Sequence, residues 1–198
     1  MDAVRVALLR EVLAGTEWLG ATRRFAGVLR GSVVAHRGGL LLVGTPEYEP
    51  WHLAAHLVDE AAWSGTPELA PTLVRHHARP ADPAHLSVGP GRIEEARRGE
   101  TLLVVAPEEP AELLERVHAA RRAGVTVLAL GAGGGELSAM AHDTLAVPEG
   151  AELDLDSVQH LVSAAAGENA GSPRVRRVFR DRLSRLAEFL TAPPAAPW

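Results

Sequence analysis

The stretch from Gly99 to Gly150 constrains this chain more than any other. An apolar run, Thr101 to Ala106, stops at Pro107. An amphipathic run follows, with Leu113, Leu114, Val117 and Ala120 at helical spacing and charged residues between them. It ends at Gly124, a residue suited to a helix C-terminus. A second apolar run, Val125 to Leu130, leads into glycines; Leu137, Met140 and Ala141 mark a short helix, and Thr144 to Val147 a third short strand. Strands joined by helices over such short distances pair in parallel, because a parallel pair needs a crossover connection. The rest of the chain must extend this unit or pack on it.

Upstream, Leu40 to Val43 reads as a buried strand closed by Gly44, and a helix starts near Pro50 or Trp51. Leu69 to Val74 contains Pro71, so it is expected to be short or at a sheet edge. The segment from His76 to Arg98 reads as a long loop with a short helical piece around Ile93 to Ala96. Val158, Leu161, Val162 and Ala165 define a later helix that Asp156 or Ser157 would cap. The predicted fold is therefore α/β: a three-layer α/β/α sandwich around a five-stranded parallel sheet. The predicted layout is one domain over 1–198, with N-terminal helices in 1–36, an α/β core in 37–168 and a C-terminal helix in 172–191. The N-terminal helical patterns, Val4 to Val12 and Trp18 to Leu29, would cover the sheet or meet another subunit. Residues Ala192 to Trp198 form a Pro/Ala-rich tail expected to be loosely held.

Composition removes several chemistries. The chain has no cysteine, so a disulfide, a thiolate nucleophile and a thiolate metal site are all excluded. It also has no lysine, which excludes a Schiff base and a phosphate-loop lysine. A net charge of −5 argues against a general nucleic-acid binder. No apolar run has membrane-spanning length, and the start of the chain lacks a signal-peptide layout, so a soluble cytoplasmic protein is expected.

The pattern Gly133, Gly134, Leu137, Ala141, Asp143, Val147, Pro148 resembles the second half of a sugar isomerase (SIS) domain, and the likeness extends with gaps from Leu40 to Glu168. The resemblance implies a sugar-derived ligand, self-association as a homodimer or tetramer, and phosphate-binding loops after the first and third strands. In that family these loops carry glycines, serines and threonine. Here they read Gly44-Thr45-Pro46-Glu47-Tyr48-Glu49 and Ala106-Pro107-Glu108-Glu109-Pro110. The serines are missing, prolines remove N–H donors, and acids repel a phosphate. Acids at a helix start also stabilise its dipole, which is the plainer reading of Glu108 and Glu109. Fold geometry together with this resemblance implies ligand-binding candidates at Gly44, Thr45, Glu47, Tyr48, Trp51, Pro107, Glu108 and Glu109, outside the carboxyl ends of the strands. Tyr48, Trp51 and Trp63 could stack on a sugar or fill a subunit interface.

A second resemblance concerns His52-Leu-Ala-Ala-His56-Leu-Val, which is similar to the helix motif of phosphoheptose isomerases. His52 falls on the family histidine, and His56 falls where that family has a catalytic glutamate. Gln159 and His160 match its late helix, whereas Ser163, Ala164 and Ala165 stand where a further histidine would be. If isomerase chemistry is retained, His56 and His160 are the catalytic candidates, and His52, His56, Gln159 and His160 the candidate ligands of a Zn²⁺ ion. Histidines four apart share a helix face but also arise readily by chance. The pair His76-His77 reads as a solvated loop, and His85, His118 and His142 as isolated side chains.

Three functions follow as expectations. The first is a carbohydrate-derivative-binding SIS-type protein without standard isomerase chemistry, acting as a ligand sensor or oligomeric scaffold. The second is a zinc-dependent aldose–ketose isomerase of phosphosugars. The third is an interaction module using the N-terminal helices or the arginine-rich segment Arg174 to Arg185, whose arginines otherwise make a solvated face.

Overall fold

A computed structural model describes residues 8, 10–79 and 81–168. The expected C-terminal helix, its arginines and the tail lie outside the described residues, as does most of the first N-terminal pattern. The described elements, in order, are α1 (Glu17–His36), β1 (Leu40–Val43), α2 (Trp51–Ser64), β2 (Pro71–Val74), α3 (Gly91–Glu94), β3 (Thr101–Ala106), α4 (Ala111–Arg122), β4 (Thr126–Gly131), α5 (Glu136–Met140), β5 (Asp143–Ala146) and α6 (Leu155–Gly167). Single 3₁₀ turns at Pro67–Leu69 and Ala84–Leu86 fill the connections on either side of β2.

The five strands form one parallel sheet in the order β2-β1-β3-β4-β5. Pro71 opens β2 at the sheet edge, where a missing N–H costs the ladder least. Strand alternation separates the two cores. Leu40, Leu42, Leu103, Val105, Leu128 and Leu130 face a cluster completed by Phe25 and Leu29 of α1, Leu53 and Leu57 of α2, and Val158 and Leu161 of α6. Leu41, Val43, Leu102, Val104, Val127 and Ala129 face the other cluster, with Ile93, Leu113, Val117 and Leu137. Both faces are covered, so β3 is buried along its whole length and reads as a continuous apolar run. Among the described residues no helix is long and apolar enough to cross a membrane.

Two local differences from expectation have simple causes. Helix α6 is capped by Asp154, whose Oδ1 accepts from the Ser157 amide at 2.6 Å, rather than by Asp156 or Ser157. Asp154 stands three residues before that amide, the spacing at which a cap side chain reaches an orphan N–H. Residue Leu69 belongs to a 3₁₀ turn, so β2 begins two residues later than the apolar run suggested.

Candidate functional site

The sheet order reverses direction between β1 and β3, which puts the crevice of an open α/β sheet between the loops after Val43 and Ala106. The first loop is folded on itself. The Thr45 amide donates to Tyr48 O at 2.9 Å, and the Tyr48 amide donates to Thr45 O at 3.2 Å and to Thr45 Oγ1 at 3.1 Å. Thr45 is buried. A Cβ at Gly44 would overlap Tyr48 O, so only glycine lets the turn close this tightly.

A second set of contacts ties this loop to the end of β2. Arg75 donates through Nε to Glu49 Oε2 at 3.2 Å, through one terminal nitrogen to Asp82 at 2.6 Å and Leu86 O at 3.0 Å, and lies 4.6 Å from the Trp51 ring centre. Trp51 Nε1 donates to the same Glu49 oxygen at 3.0 Å. A ring nitrogen of His76 sits 3.1 Å from Gly44 O, and one of His77 sits 3.1 Å from Pro46 O. The histidine pair thus reaches back to the β1 loop, with His76 half-buried and His77 exposed to solvent as expected. This Arg75 network was missed in the sequence, where only the position of Arg-His-His at the end of a strand beside β1 hinted at it.

The loop after β3 holds a carboxylate in an unusual place. Glu109 Oε2 accepts from the Leu137 amide at 3.3 Å, and its carboxylate lies so close to Gly135 that a Cβ there would overlap it. Glu109 therefore does not act on its own helix, α4, but on the glycine loop before α5. Pro107 and Glu108 are exposed, and Pro110 caps α4 without a side-chain bond. Glu47, at the tip of the first loop, is also exposed.

The third wall comes from α6. Tyr48 reaches from the β1 loop to donate its hydroxyl to Asp156 Oδ1 at 2.7 Å, and it accepts from Gln159 Nε2 at 2.6 Å. Burial first, and then the Asp156 carboxylate, push the Tyr48 phenol up to about 12, so it stays protonated. The Gln159 Nε2 also lies 3.2 Å from Leu155 O and 3.2 Å from Asp156 Oδ1. Its Oε1 is buried without a partner.

Further along the same helices, the His56 and His160 rings meet with centres 4.6 Å apart, and the His52 ring is 6.5 Å from that of His56. Burial, and then His160 and His52, push His56 down to about 4, so its imidazole is neutral at neutral pH. The four residues proposed as metal ligands thus come from α2 and α6, which pack together. Among the described residues, however, no three His, Asp or Glu side chains are placed to hold a metal ion. An amide binds a metal through its oxygen, and Gln159 Oε1 has no hydrogen-bond partner, but His52, His56 and His160 do not converge on one point, so the four side chains form no ready metal site.

The sequence matches no family model and no curated protein. Its fold does match solved structures. One is a Silicibacter pomeroyi DSS-3 protein assigned as a phosphosugar isomerase, at TM-score 0.51 and 17% identity over 93% of this chain and 53% of that one. Another is the Vibrio vulnificus NanR protein complexed with ManNAc-6P, at 0.50 and 14% over 94% and 72%. A third is a Salmonella typhimurium LT2 protein assigned as sugar-binding, at 0.52 and 13% over 94% and 54%. The chain spans about half the length of the first and third. With its sheet order and its two-faced core, the chain has the fold of the sugar isomerase (SIS) domains.

Proposed function

We propose that this chain binds a carbohydrate derivative without isomerising it and works as a ligand-sensing or scaffold domain. The observation that carries this reading is the condition of the two loops at the crevice. The Thr45 and Tyr48 amides are used inside the first turn, and Pro46, Pro107 and Pro110 have none. The Leu137 amide is taken by Glu109. A phosphate cradle needs several free N–H groups pointed at one anion, and a catalytic site for proton transfer between adjacent carbons needs its substrate fixed there. Neither support is present among these groups. The sheet nonetheless has its switch point between β1 and β3, and one protein of this fold is described in complex with ManNAc-6P.

The test is a thermal-shift and calorimetry panel of sugars and sugar phosphates, run beside an aldose–ketose assay. Binding without turnover is the expected result. Turnover of any sugar phosphate overturns the reading. The zinc-dependent isomerase reading draws on the contact between His56 and His160. Elemental analysis of protein purified without chelator decides it: near-stoichiometric zinc, lost in His56→Ala, would put the isomerase ahead.

A further inference from the structure

The outward faces of α2 and α4 are unlike. On α4 the exposed side chains include Glu112, Glu115, His118, Arg121 and Arg122, the polar face expected of a surface helix. On α2 they are Trp51, His52, Ala55, Val58, Ala62 and Trp63. One imidazole aside, that set is apolar; Trp51 is 39% exposed and Val58 49%. Trp51, Ala55, Val58 and Ala62 follow one another by four, three and four residues, the spacing of a seam along which one helix packs on another. The opposite side of α2 is already used, with Leu53, Leu57 and Ala61 in the core. The helix therefore has two apolar faces, one buried and one exposed.

The chain carries a strip that matches the exposed one. In residues 169–198, outside the described residues, Phe179, Leu183, Leu186 and Leu190 are also spaced by four, three and four. Laid antiparallel to α2, they fall opposite Ala62, Val58, Ala55 and Trp51 in that order. Large side chains then meet the two alanines, as interdigitation requires. Ser172 followed by Pro173 is a helix-start pair, a cap and a first-turn proline.

The exit of the chain suits this arrangement. Glu60 of α2 packs on Gly167, and Arg30 donates to Ala166 O at 2.8 Å and to Thr66 Oγ1 at 2.6 Å, so α6 ends beside the end of α2. A segment that reverses around Gly171 would run back along α2 from Ala62 to Trp51. As a helix, 173–190 would be about 27 Å long and α2 is about 21 Å, so the strip can be covered in full. Charge favours the same pairing. Segment 173–190 has six arginines and two acids, whereas residues 1–168 have fourteen arginines and twenty-three acids. The body of the protein attracts this segment and repels a second body, which sets the segment ahead of a second copy as the occupant.

We propose that segment 173–190 docks as an amphipathic helix, antiparallel to α2, on the strip of Trp51, Ala55, Val58 and Ala62. Its end at Leu190 then lies against Trp51, whose Nε1 donates to Glu49 of the β1 loop, so the docked segment reaches the rim of the crevice.

The chain has no cysteine, so thiols placed in the full chain are the only ones. With Val58→Cys and Leu183→Cys together, a short bis-maleimide should link the two within one chain. Val58→Cys with Arg185→Cys, on the other side of the segment, should link poorly. Alone, Val58→Cys should react with a maleimide about tenfold more slowly than Ala119→Cys on the solvated face of α4, and adding Leu183→Asp should abolish the difference. Equal linking of the two pairs overturns the proposal, as do equal rates at Val58→Cys and Ala119→Cys or a slow rate that Leu183→Asp leaves unchanged. Links that join two chains through Val58→Cys overturn it in favour of a second copy.

Discussion

Helices α2 and α6 meet along one seam whose two ends behave in opposite ways. Contacts rise together along both helices, from Tyr48 against Gln159 and His56 against His160 to Glu60 against Gly167, so the helices run parallel. The end near the crevice is polar and satisfied mostly by hydrogen bonds; its titratable group, His56, is held neutral by burial. The far end buries a carboxyl. Glu60 is 9% exposed and is packed so closely on Gly167 that a Cβ there would overlap its Oε2. Burial first, and then Glu168, push its carboxyl from 4.5 up to about 7, against the pull of Arg10. Asp59 acts on both groups: it favours charge on His56 and disfavours it on Glu60.

The seam should therefore respond to pH from both ends. Glu60 holds its proton in the folded chain to a higher pH than in the unfolded chain. Its contribution is whole below about 4.5 and is lost as pH rises to about 7. His56 is the reverse: the unfolded chain takes up a proton at 6.5 and the folded chain only near 4, so acid in that window favours unfolding. The two slopes oppose each other between about 4.5 and 6.5, and stability should be flat there.

The largest break comes at the glycine. Gly167→Ala should destabilise by about 2–3 kcal/mol in urea unfolding, because the new methyl and the Glu60 carboxyl claim one space. Adding Glu60→Ala should recover part of that loss, and a fully additive double mutant would show that the two groups are independent. Next, Glu60→Gln should stabilise the chain at pH 8 by about 2 kcal/mol, since it removes a charge that burial disfavours. It should also expose the rising slope of His56 between pH 4.5 and 6.5; no change in the pH profile would remove Glu60 as its source. Tyr48→Phe should cost about 1 kcal/mol by removing the bridge between the β1 loop and α6. The smallest effect belongs to His56→Leu, which should leave stability near neutrality almost unaltered but abolish the acid-side loss. A profile that still falls between pH 6.5 and 4 would assign that loss to another group.

The difference between the two ends also marks what the sequence could and could not reveal. The strands were legible because β1, β3 and β4 are short apolar runs ending in glycine or proline, and Pro71 announced an edge. The altered crevice loops were legible as missing serines and added prolines and acids. Partnerships were not. Tyr48 and Gln159 are 111 residues apart, and nothing local to either says that one amide will orient one phenol. Glu109 reads as a helix-start acid for α4, and only the folded chain puts its carboxylate on the Leu137 amide. The Asp154 cap could have been found by counting three residues back from Ser157. Glu60 could not, because an acid in an Asp-Glu pair on a helix reads as a solvated face until the partner helix arrives.

Glu109 carries one last consequence, which concerns competition. Its carboxylate lies against Gly135 and on the Leu137 amide, so this pocket of backbone polarity has a resident anion on a tether. A tethered group acts as though present at millimolar concentration or more, whatever the surrounding medium holds. Dissolved phosphate must displace it to gain anything, and it brings more charge into the same acidic surroundings. The protein should thus be indifferent to its phosphate supply: millimolar phosphate should leave its melting temperature where an equal ionic strength of chloride leaves it. With the tethered group removed in Glu109→Ala, that indifference should weaken.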